Sequence, residues 1–138
     1  MKAMIVFSSL LALAACKDKG GATPESSGSG GSAAVAPAKG DAEVAAALKL
    51  LAAVTPSIHD HMYDCAPMKA AFDPALASVQ AESKVVIAGM SDPDIAKRLA
   101  AVNDKATPLG KAWHETYESS MECPAVNDVL LRAIGQIK

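Results

Sequence analysis

The chain has 138 residues, 51% hydrophobic and 4% aromatic, with a formal net charge of −2. That length suits one domain and leaves no room for two independent cores, and the balanced charge lacks the basic excess that nucleic-acid binding selects. Alanine supplies 29 of the hydrophobic residues and favours helix while adding little core volume, and three cysteines are an odd number, so one has work other than intrachain pairing.

The first element is short and apolar. Met1-Lys2 gives a positive start, and Ala3 to Ala15 is apolar apart from Ser8 and Ser9. A helix of these residues reaches only about 20 Å, short of the roughly 30 Å hydrocarbon core of a bilayer. The segment therefore reads as a signal-peptide core rather than a permanent span. It ends in Leu13-Ala14-Ala15-Cys16. This run resembles the lipobox of bacterial lipoproteins, with a leucine three before the cysteine and two small residues between. The resemblance covers residues 1–16 only. It implies a signal peptide over 1–15, cleavage before Cys16, and a covalent diacylglycerol on the Cys16 sulfur; no other cofactor is expected. An ordinary secretory peptide cut after Ala14 is the competing reading, and it leaves Cys16 as a thiol without a role. Lys17 stands where lipoproteins of enteric-type bacteria carry Asp when they stay at the inner membrane. By resemblance the chain goes to the outer membrane, facing the periplasm or the surface.

Composition then changes sharply. Residues 17–40 hold six Gly, four Ser, five Ala and two Pro, and Val35 is their only large apolar side chain. Such a segment buries too little surface to offset the entropy of ordering, so a disordered tether is expected over 16–40. A Gly/Ser-rich coil of this length reaches roughly 25–30 Å.

Residues 41–138 are the part able to fold. They carry 13 acidic and 9 basic residues, a net of −4. No period-2 alternation bounded by Asn-Gly or Asp-Gly occurs, whereas helical spacing runs nearly throughout. Val44, Leu48 and Leu51 mark the first stripe, then Ile58, Met62, Cys65 and Phe72. Leu76, Val79, Val86 and Met90 follow, and then Ile95, Leu99 and Val102. Leu109, Trp113 and Tyr117 precede a last stripe of Val126, Leu130 and Ile134. Thr55-Pro56, Asp73-Pro74, Asp92-Pro93 and Thr107-Pro108 each place a capping residue before a proline, the pattern of a helix start. Cys123-Pro124 has the same form with a weaker cap. Pro67 lacks a cap and is expected to end or kink a helix. These marks predict an all-α fold, a small antiparallel bundle of five or six short helices.

Cys65 and Cys123 remain as a pair. Export permits a disulfide between them, and a small domain with few aromatics gains from one. A redox or metal pair is the rival reading, but neither cysteine sits in Cys-x-x-Cys. The bridge is expected to bring Asp60, His61 and Asp64 toward Glu118 and Glu122, with His114 nearby. His61 with Asp64, and His114 with Glu118, have helical spacings able to chelate. The same pairs are common on solvated helix faces, so they are weak metal candidates. His114-Glu115-Thr116-Tyr117-Glu118 begins like a zinc-protease helix, yet Glu118 occupies the place of the second histidine. No Cys-x-x-Cys-His, Gly-x-Ser-x-Gly or phosphate loop is present. Trp113, Tyr117, Tyr63 and Phe72 are expected in core or half-buried positions. The pattern favours a non-enzymatic, lipid-anchored binding module of the bacterial envelope that docks a protein partner. A metal- or small-ligand-binding lipoprotein using the acidic and histidine cluster is the alternative.

Overall fold

Six α-helices account for most of residues 36–137, the part of the chain that the computed structural model describes. The expected signal peptide, the expected lipidation site Cys16 and the tether up to residue 35 lie outside the described residues. The helices are α1 (Asp41–His59), α2 (Cys65–Ser78), α3 (Gln80–Gly89), α4 (Pro93–Leu99), α5 (Pro108–Ser120) and α6 (Pro124–Ala133). A 3₁₀ turn, Ala100–Asn103, continues α4, and no strand occurs among the described residues. The expected helical bundle with one disulfide is what forms.

The longest helix, α1, is the hub, and α2, α3 and α5 all pack against it. Its deepest side chains are Leu50, Leu51, Val54 and Ile58, each essentially removed from solvent. This stripe is wider than the expected Val44, Leu48 and Leu51, of which only Leu51 is fully buried. A helix with neighbours on several sides buries more than one stripe. The other helices present Met68 and Phe72, Val86, Leu99, Leu109 and Trp113, and Val126 and Leu130 to the same core.

Proline marks some helix starts and not others. Asp92 and Thr107 cap α4 and α5 as expected: Asp92 Oδ1 accepts from the Asp94 amide at 3.0 Å, and Thr107 Oγ1 accepts from the Gly110 amide at 3.0 Å. Pro124 opens α6 behind Cys123. Pro56 and Pro74, expected to begin helices, lie inside α1 and α2 instead. A proline inside a helix frees the carbonyl four residues back, here Ala52 and Ala70. Both prolines and both alanines are exposed, so water can reach those carbonyls. Pro67 does not end a helix either. It sits in the first turn of α2, where its missing donor costs nothing, and Asp64 supplies the cap through a 3.3 Å bond from the Ala66 amide.

Ahead of α1, the last residues of the expected tether are fastened to α4. Lys39 Nζ lies 2.8 Å from Asp92 and 3.1 Å from Asp94. Arg98 donates to the Lys39 carbonyl and, at 2.6 Å, to Asp41. Gly40 turns the chain with φ at 90°, beside the Arg98 side chain. The Arg98 bond and the Ala38 amide hold the Asp41 carboxyl below its usual range; the Lys39 bond does the same to Asp92. Those two aspartates in turn raise Lys39. Carboxyls lowered by folding stabilise the clasp fully above their ordinary titration range and lose that contribution as pH falls from it through their lowered folded-state values. The raised lysine stabilises it at lower pH and is lost only in strong alkali. The clasp is therefore expected to be closed at neutral pH, to weaken below the ordinary Asp range near about pH 4, and to open only as pH falls through the lowered values of Asp41 and Asp92. The Ala38 amide, which donates to Asp41 Oδ2 at 2.6 Å, reports this directly. Its hydrogen-exchange protection should vanish on acidification before the α1 core amides respond. Protection that persists until the whole domain unfolds would contradict the clasp.

Candidate functional site

Cys65 is the first residue of α2, and Cys123 stands immediately before α6. Their Cα atoms are 5.0 Å apart across a sequence separation of 58, and the sulfurs are bonded. The bridge ties the beginnings of two helices together, with Cys123 fully buried.

It does not assemble the acidic and histidine cluster. Among the described residues no group of three His, Cys, Asp or Glu side chains is placed to hold a metal ion. The expected ligands are dispersed or already engaged. Asp64 caps α2, and Glu118 pairs with Lys105 at 3.1 Å, which holds its carboxyl below the usual range. His114 Nδ1 is 3.7 Å from Glu118, while its Nε2 is buried without a hydrogen-bond partner. His61 is half-buried in the turn after α1, Asp60 lines a different cleft, and Glu122 is exposed in the turn before Cys123.

Of the aromatic residues, Phe72 and Trp113 are buried, and Tyr117 stacks on Trp113 with ring centroids 5.0 Å apart. Tyr63 departs from expectation. It is 89% exposed, because it lies in the turn between α1 and α2 rather than on a helix face that meets the core.

Two of the concavities on the surface bear on a binding site. A cleft of about 600 Å³ lies between α1 and α5, walled by Leu48, Thr55, Pro56, His59, Asp60 and Glu115. At its wall the Thr55 and Thr116 hydroxyls meet at 2.6 Å, joining the two helices. The second feature is a groove between α3 and α6 in two connected parts of about 350 and 560 Å³, which share Ile87 and Arg132. Three of the chain's exposed large apolar side chains line it: Ile87, Val129 and Ile137. Leu76, Met90 and Ala133 form its deeper parts, and Lys84 and Arg132 are its charged members.

The periodicity passed over Ile87 and Val129 as site residues, although a signal was present. Val85-Val86-Ile87 and Val129-Leu130-Leu131 are apolar triplets on short helices. Three consecutive helical positions span about 200°, so they cannot all face one core. Val86 and Leu130 are buried, Leu131 is half-buried against the core, and Val85, Ile87 and Val129 are left exposed.

No protein-family model matches this chain, and neither a curated protein nor a solved structure does. No helix among the described residues is long and apolar enough to cross a membrane.

Proposed function

We propose that the protein is a lipid-anchored module of the bacterial envelope, held through Cys16 at the outer membrane, that docks a protein partner without catalysing a reaction. The exposed apolar groove between α3 and α6 is the observation that carries the docking part. Contiguous apolar surface at a concavity costs solvation free energy and is a feature of interaction sites. The lipobox resemblance of Leu13-Ala14-Ala15-Cys16 supports the anchor, and the low-complexity run after it supplies reach.

Two measurements in cells test the reading. Labelled palmitate fed to expressing cells should enter the wild-type chain and be absent from Cys16→Ser. No label on wild type, or equal label on both, would refute the anchor. A photo-crosslinker at Val129 should give a discrete adduct with one envelope protein, and one at Lys111 should not. Absence of any adduct from Val129 would refute docking through this groove. Absence from positions around the whole domain would refute a docking module.

A further inference from the structure

We infer that the cleft between α1 and α5 binds a small organic amine, a protonated nitrogen carried on an apolar body. This site is separate from the α3–α6 groove and does not depend on docking there. The cleft encloses about 600 Å³, inside the span of about 300–1,000 Å³ usual for small-molecule sites. Its walls come from the most extensively packed pair of helices in the bundle, and the Thr55 and Thr116 hydroxyls fasten them together at 2.6 Å. The shape therefore exists before a ligand arrives. Leu48, Pro56 and Ala112 give it an apolar lining suited to a hydrocarbon body.

The polar groups of the cleft select the sign of charge. Asp60 and Glu115 line it, whereas no lysine or arginine among the described residues does. Neither carboxylate is held in an ion pair among the described residues, and Lys111, one turn before Glu115 on α5, does not pair with it. A further acceptor comes from the backbone. A helical carbonyl points toward the amide four residues on, and at Pro56 that amide has no hydrogen. Ala52 and Pro56 both line the cleft, so the Ala52 oxygen lies between two wall residues without its usual donor. An ammonium group offers three donors and no acceptor, which matches such a lining. An anion meets like charge there, and a neutral ligand leaves the carboxylates unanswered. A bare metal ion is poorly served, because among the described residues no group of three His, Cys, Asp or Glu side chains is placed to hold one.

The full chain carrying Cys16→Ser, which removes the lipid, permits a direct test in solution. Three probes share a phenylalkyl body: phenethylamine, phenethyl alcohol and hydrocinnamate. The amine is expected to give saturable shifts of the amides of residues 52–60 and 112–116. It should bind about fivefold more tightly than the alcohol, as two exposed ion pairs allow, and hydrocinnamate should not bind. Asp60→Asn combined with Glu115→Gln, both at exposed positions, should erase the preference for amine over alcohol with the helical circular dichroism unchanged. Pro56→Ala, which returns a donor to the Ala52 carbonyl, should weaken the amine more than the alcohol. Equal affinity for the three probes, no saturable shift with the amine, or a preference that survives the double replacement would overturn the inference. So would amine shifts centred on α3 and α6, or the same shifts produced by calcium chloride alone.

Discussion

Replacing both bridge cysteines by alanine is expected to destabilise the domain by about 2–4 kcal/mol while leaving its helices in place. The bridge closes a separation of 58 residues, for which the chain-entropy model gives about 4 kcal/mol. Alanine is the informative replacement. Cys123 is fully buried, and serine there would bury a polar hydroxyl, adding a cost of about 1–3 kcal/mol unrelated to the crosslink. The effect matters because the core is small and assembled largely around α1, whereas α2 and α6 share few other contacts. For a domain of this size each kcal/mol lowers Tm by about 4–8 °C, so the variant should melt on the order of 10–25 °C below wild type. Urea unfolding of the wild-type protein with and without reductant should show the same difference. A midpoint indifferent to reductant would mean that the bridge contributes nothing, and coincidence of variant and reduced wild type would assign the loss to the crosslink itself.

The helical class was legible because it rests on patterns that act locally: apolar residues at helical spacing, and Asp92-Pro93 and Thr107-Pro108 with the caps they form. Thr55-Pro56 and Asp73-Pro74 look the same in sequence yet lie within helices. What separates them is tertiary. Ala52 and Ala70 are exposed residues, so water can take the bonds that the prolines forgo, and Thr55 adds a bond from its hydroxyl to the Leu51 carbonyl at 2.7 Å. The pairing of Cys65 with Cys123 followed from setting Cys16 aside on the lipobox resemblance. The fate of the acidic and histidine side chains could not be read in the same way. Asp64 was spaced correctly from His61 to chelate, and its carboxylate caps a helix instead. Glu118 was spaced correctly from His114, and it is shared with Lys105, thirteen residues earlier in the chain. Spacing says which side chains can meet, while the competition among partners is settled by packing. The groove was legible only as excess: more apolar residues on α3 and α6 than one core face could absorb.

Gly110→Ala is the second large effect expected, and its sign opposes the local rule. Glycine within a helix is worse than alanine by roughly 0.5–1 kcal/mol, so Gly110, in the first turn of α5, reads from sequence as a site to stabilise. The packing reverses this. A Cβ on Gly110 would lie 1.9 Å from the carbonyl oxygen of Asp104 and 2.9 Å from that of Ala101. Both obstacles are backbone, so no side-chain rotation relieves them. The same Asp104 oxygen accepts from the Thr107 amide at 3.0 Å and from the Thr107 hydroxyl at 2.9 Å. Moving it disturbs the residue that caps α5, because Thr107 Oγ1 also accepts from the Gly110 amide at 3.0 Å. Overpacking of this kind costs about 1–3 kcal/mol, occasionally more, and loss of the cap adds about 1 kcal/mol. Gly110→Ala is therefore expected to lower stability by about 2–4 kcal/mol, read as a fall in the urea midpoint with the slope unchanged. Thr107→Ala, which removes the cap but creates no clash, should lose only about 1 kcal/mol. If Gly110→Ala proved neutral or stabilising, the close passage of α5 over the Asp104 backbone would be wrong. If the two variants lost the same amount, the cap would account for the whole effect and the steric argument would fall.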